Sequence, residues 1–167
     1  MKMTESNLQD AFAGESQANR RYLAFAKKAE SDGFPQVAKL FRAAAAAETV
    51  HAHSHLRAMG GIKSTQDNLR AAVEGEGFEV KEMYPPYLKT AQEESNTQAA
   101  ISFRNALAVE KIHYDLYRQA AESVDKGQDL PDKKVYVCAV CGNTVYGETP
   151  DTCSVCGAPG SQFTEIQ

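Results

Sequence analysis

Two stretches of this chain are versions of one pattern, and that duplication constrains the fold most. Leu8, Ala11, Gly14 and Glu15 recur as Leu69, Ala72, Gly75 and Glu76, 61 positions on. Phe41, Arg42, Glu48 and His51 recur as Phe103, Arg104, Glu110 and His113, 62 positions on, and Tyr22 and Tyr84 share that second offset. Around these positions Ala, Glu, Gln, Lys and Leu dominate, while Gly and Pro fall mainly at breaks. That combination predicts helix.

The breaks divide residues 1–126 into four helices. The first starts near Thr4, a candidate N-cap, and stops at Ser31-Asp32-Gly33. The second opens with Pro35 in its first turn and runs to Gly60-Gly61. The third runs from Thr65–Asn68 to about Glu94, with a kink expected at Pro85 and Pro86, which lack backbone donors. The fourth runs from about Asn96 to Lys126. Helices of roughly 25 residues span about 37 Å each, the length of four-helix-bundle members. Two copies of a helix pair packed face to face would place each residue near its repeat mate across a pseudo-twofold axis.

The segment 127–134 is polar, holds Gly and Pro, and reads as a linker. The tail, 135–167, is rich in Gly, Pro, Cys and β-formers. A unit of that size rarely folds without a staple. All four cysteines lie there: Cys138-Ala-Val-Cys141-Gly and Cys153-Ser-Val-Cys156-Gly, with 11 residues between the pairs. Two such knuckles predict a tetrahedral four-sulfur metal site, with Gly142 and Gly157 supplying positive φ. Spacing alone does not choose between zinc, giving a structural ribbon, and iron, giving a one-electron relay.

Composition excludes other classes. Acids outnumber bases 22 to 18, net charge is −4, and no basic run is present. A nucleic-acid partner is not expected. No uninterrupted apolar run, the Ala-rich Ala43–Ala47 included, approaches the length of a membrane span. The first seven residues lack a signal-peptide core, and the clustered cysteines suit a reducing compartment, so a cytoplasmic location is expected.

Glu48-x-x-His51 and Glu110-x-x-His113 each put two ligands on one helix face. With Glu15 and Glu76 they give four Glu and two His, one Glu and one Glu-x-x-His per half. This is the donor set of ferritin-like di-iron carboxylate bundles. Carboxylate and imidazole suit iron or manganese, and two divalent ions offset the cost of burying four carboxylates. Glu79 breaks the symmetry. It lies three residues after Glu76, where the first half has Ala18. It adds a seventh candidate ligand, able to exchange with a histidine as iron changes charge. Tyr22 and Tyr84 are candidates for hydrogen bonds to the carboxylates. His53 and His55 read as ordinary polar helix residues.

Together these motifs resemble rubrerythrin over nearly the whole chain. The residues that carry the resemblance are Gly14-Glu15 with Tyr22, Glu48-x-x-His51, Gly75-Glu76-x-x-Glu79 with Met83-Tyr84-Pro85, Glu110-x-x-His113 and the cysteine knuckles. The resemblance implies an all-α ferritin-like four-helix bundle with a small C-terminal β-rich rubredoxin-like metal domain. It implies that Glu48 and Glu110 bridge two irons. Glu15 would bind one iron, with His51 and Glu79 alternating on it. Glu76 and His113 would complete the other. Cys138, Cys141, Cys153 and Cys156 would hold a single iron, which zinc can replace in recombinant protein.

The implied activity is reduction of hydrogen peroxide to water. Electrons would come from a donor protein, a rubredoxin or an NAD(P)H-dependent reductase. A homodimer or larger homo-oligomer is implied, with the tail's metal near the other subunit's di-iron site. Glu79, His51, Tyr22 and Tyr84 are the residues expected to act in catalysis. The rival expectation is a ferritin-like iron-binding protein or ferroxidase with a structural zinc tail.

Overall fold

The computed structural model describes residues 3–167, which fall into two compact units, one ending at Lys63 and the other spanning Ser64–Gln167. The first unit is a helical hairpin. Helix α1 covers Met3–Ser31 and α2 covers Pro35–Ala58. Thr4 therefore lies inside the first turn of α1 rather than at its cap. Gly33, at φ +83°, makes the turn between the helices, and Pro35 opens α2 with a ring that needs no donor. The buried seam is built from Ala26, Ala29, Ala38, Ala45 and Ala52, so the two backbones approach closely. A buried polar side chain also crosses the seam: Asn19 Nδ2 donates to Ala45 O (2.7 Å) and Thr49 Oγ1 (2.8 Å).

The second unit begins with α3 (Thr65–Phe78), capped by Ser64, whose hydroxyl accepts from the Asp67 amide at 3.1 Å. A five-residue π-helical turn (Glu79–Met83) follows, then α4 (Tyr84–Glu93) and α5 (Thr97–Asp125). Asn96 caps α5 through the Ala99 amide. The third predicted helix is thus real but interrupted. The break takes the form of a π turn, which ends with the Tyr84 amide bonded to Glu79 O; the two prolines follow in the first turn of α4, and the carbonyls one turn back that proline rings disfavour lie within the π turn.

The repeat arithmetic explains the turn. Its offset is 61 up to Glu76 and 62 from Tyr84, so one extra residue lies between them. An i→i+5 turn absorbs one residue and returns the helix to register. The side chains confirm the register. Tyr22 and Phe41 have ring centroids 6.1 Å apart, and their repeat mates Tyr84 and Phe103 stand at 6.3 Å. Phe25–Phe41 (5.6 Å) is likewise matched by Tyr87–Phe103 (5.8 Å).

The tail is a three-stranded antiparallel sheet of order β2-β1-β3, made from β1 (Val135–Cys138), β2 (Thr144–Tyr146) and β3 (Phe163–Ile166). Val137 pairs with Thr144, and Cys138 with Phe163. The chain thus has the predicted class: ferritin-like helices followed by a small β-rich rubredoxin-like unit. Among the described residues, no helix is long and apolar enough to cross a membrane.

Candidate metal centres

Three clusters of ligand atoms form, each inside one unit. In the hairpin, Glu15, Glu48 and His51 bring one atom apiece within 4.8 Å of one another. His51 Nδ1 lies 3.0 Å from Glu48 Oε2 and 3.9 Å from Glu15 Oε1. In the second unit, Glu76, Glu110 and His113 form the same triplet, with His113 Nδ1 2.7 Å from Glu110 Oε2. In both triplets the Glu-x-x-His spacing turns Nδ1 toward the carboxylate one turn back. His53 and His55 belong to neither.

The second triplet shows the electrostatic signature of a cation site. Glu76 Oε2 is buried without a hydrogen-bond partner among the described residues. Burial, then the hydrogen bond and charge of Glu110, then Glu79, push the Glu76 carboxyl up to about 7. Glu79 is also raised, by burial first and then by Glu110, while His113 draws it down. So Glu79 lies within electrostatic reach of Glu110 and His113, although it stands outside the tight triplet. Tyr84 is raised by burial and then by Glu79, Glu110 and Glu76, so its phenol feels the same carboxylates. Tyr22 occupies the equivalent aromatic stack in the hairpin, against Phe25 and Phe41. Crowded carboxylates with an orphaned oxygen suit hard divalent cations, which replace the protons that the metal-free chain must hold.

A pH dependence follows. With zinc in the cysteine site and the carboxylates metal-free, native Glu76 holds a proton that the unfolded chain gives up near 4.5. The native state binds more protons between about 4.5 and about 7, so Glu76's contribution to stability falls as pH rises through that window and levels off above it. Urea midpoints should show this slope in wild type and a flatter one in Glu76→Gln. Identical slopes would contradict it.

The third cluster is the tail's four cysteines, all free thiols. Cys138 Sγ lies 3.8 Å from Cys156 Sγ, and Cys141 Sγ lies 3.6 Å from Cys153 Sγ. Sulfurs bound at about 2.3 Å around a tetrahedral ion are roughly 3.8 Å apart, so the thiols already stand at metal-site spacing. The two knuckles match. Gly142 N bonds Cys138 O at 2.8 Å and Gly157 N bonds Cys153 O at 2.9 Å, with φ of +87° and +76° at the glycines. The thiols differ sharply in acidity. Burial opposes ionisation of Cys153, but the Cys156 and Val155 amides and the Asn143 side chain outweigh it and bring it down to about 6. Burial sends Cys141 up to about 12. A thiolate-seeking ion resolves this by displacing the remaining protons.

Two contributors escaped the sequence reading. Asn143 is 1% exposed, and its Nδ2 donates to Cys153 Sγ at 3.5 Å. Its place directly after Cys-x-x-Cys-Gly was the available signal. Thr144 reaches His113 from 31 positions away, with no local signature.

Family models match both parts of the chain: the rubrerythrin model over residues 6–121 and the "Rubrerythrin, rubredoxin-like domain" model over residues 136–164. The chain belongs to the rubrerythrin family. It is 37% identical to rubrerythrin-2 of Clostridium acetobutylicum, covering 96% of this chain and 95% of that protein. It is 34% identical to nigerythrin of Nitratidesulfovibrio vulgaris, covering 96% of this chain and 85% of the other. Among solved structures, nigerythrin in its fully reduced, all-ferrous state aligns with 99% of this chain and 88% of its own, at TM-score 0.58 and 33% identity. The family is one of iron-binding oxidoreductases, and its cofactors are a di-iron carboxylate site and a rubredoxin-like site of four cysteines.

Proposed function

We propose that this member of the family is a peroxidase that reduces hydrogen peroxide to water. The observation that carries the reading is the meeting of two donor sets at α5 within one unit. His113 turns Nδ1 to the carboxylates, while the Cys138–Cys141 knuckle abuts the same helix; a methyl group at Gly142 would stand 3.8 Å from Val109 Cγ1. Glu15, Glu48, His51, Glu76, Glu79, Glu110 and His113 are the ligands we assign to the iron pair. Cys138, Cys141, Cys153 and Cys156 hold the single iron. When bound, these ions supply the two electrons that peroxide reduction takes and a one-electron route for replacing them.

The chain's own groups handle protons. Two are consumed as each peroxide becomes two waters. Tyr84, kept protonated by burial and by its carboxylate neighbours, is the group we assign as a hydrogen-bond donor at the site. Tyr22 is assigned the matching role, and Glu79 and His51 the exchange of ligand position. The electron donor we assign is a rubredoxin or an NAD(P)H-dependent reductase. A homo-oligomer in the cytoplasm completes the reading.

Oxidation of the fully reduced protein by peroxide and by O2, followed by rapid mixing, tests it. Faster oxidation by peroxide, with a red tail that bleaches on reduction, is expected. Preference for O2, or a colourless tail in protein from iron-replete native cells, would favour iron handling instead. Glu79→Ala should keep most of its iron yet lose about 10–100-fold in peroxide turnover. Wild-type turnover in that variant would remove the role given to Glu79.

A further inference from the structure

Thr144 sits at the start of β2, half-buried, against α5. Its Oγ1 lies 2.9 Å from His113 Nε2 and 3.3 Å from the Gly142 carbonyl oxygen. A carbonyl only accepts, and a threonine hydroxyl has one proton to give. When Nδ1, 2.7 Å from Glu110 Oε2, carries a cation, the ring proton is on Nε2 and donates to Oγ1, whose own proton then goes to Gly142 O. Two acceptors that close require a positive particle between them, a proton in the metal-free chain or a cation in the loaded one.

We propose that Thr144 is a positioning residue for His113. Its hydroxyl fixes the ring orientation and the tautomer that presents Nδ1 to metal, and anchors that choice to the backbone of the Cys138–Cys141 knuckle. The inference rests on reading His113 as a ligand. Gly142 is itself tied to Cys138 O, so one hydrogen-bonded path runs from the imidazole to the cysteine cluster. The tail thereby does more than hold its own ion: it sets a ligand of the helical site. A cavity of about 260 Å³ lined by Leu69, Leu116, Leu130 and Tyr146 opens beside the pair. If the hydroxyl were removed, water there could solvate Nε2 and leave the ring free to change tautomer.

The test uses full-length protein with zinc in the cysteine site, titrated with cobalt(II) at the carboxylates. Thr144→Val keeps shape and strand preference but removes the hydroxyl. It should weaken cobalt binding by about 10-fold or more. It should also release the His113 Nε2 proton to faster exchange in ¹⁵N NMR of protein with zinc bound at both the cysteines and the carboxylates. Thr144→Ser should restore both. A packing role would give the opposite pattern, with Val tolerated and Ser impaired, and would overturn the proposal. His113→Ala separates the two claims. If it weakens cobalt binding while Thr144→Val does not, only the role of Thr144 fails. If it leaves binding unchanged, the reading of His113 as a ligand fails as well.

Discussion

Protein carrying Cys153→Ser is expected to lose the fold of residues 135–167 while keeping its helices. The tail has strands of four, three and four residues, and its buried residues are Cys138, Cys153 and Asn143. No apolar core stands behind them. Binding of a structural ion by such a unit contributes on the order of 10 kcal/mol, more than any other source of stability it has. The Cys153 thiol is brought down to about 6 and accepts from the Asn143 amide, so its loss removes a ready anion and takes the sulfur from a buried donor. Limited proteolysis should cut within 127–167 in the variant and spare the tail in wild type, with helical circular dichroism nearly unchanged. A protease-resistant tail without its metal would show that the sheet stands by itself.

Glu110→Ala should have two effects of opposite sign. Glu110 lies 2.7 Å from His113 Nδ1, and its charge, after burial, helps to raise Glu76, Glu79 and Tyr84. Removing it takes away the carboxylate that groups with Glu76 and His113 and that we assign as a ligand. Iron or cobalt affinity should fall by more than the roughly 10–100-fold that loss of a supporting group costs. The same change relieves carboxylate crowding, so the metal-free protein should unfold at higher urea than wild type near neutral pH, where Glu76 would otherwise be pushed toward ionisation. Both are read on one sample set, by metal titration and by denaturation. A variant weaker in binding and also less stable when metal-free would mean that Glu110 supports the packing rather than straining it.

Much of this was legible from residue spacing because helices translate sequence into geometry almost without context. Glu48 and His51, three apart, share a face whatever surrounds them, and Ser31-Asp32-Gly33 and Gly60-Gly61 mark turns wherever they occur. The cysteine knuckles are equally local. Contacts made across the chain were not legible. Thr144 meets His113 only because β2 lies on α5, and no pattern near either residue announces it. The π turn was half legible. The shift from 61 to 62 in the repeat recorded an extra residue, and the prolines just beyond it marked a break, but neither said that the break would be a π turn. Asn19 tells the same story: a polar residue in a helix reads as surface until the backbone it bonds to is in place.

The turn at Glu79–Met83 bears on ancestry as well as shape. A hairpin copied faithfully would hand both ions the same surroundings, and neither would have reason to behave differently from its twin. The one additional residue in the second copy, between Glu76 and Tyr84, ends that equivalence while the stacked rings still match in both copies. It left one half of an otherwise mirrored device free to specialise.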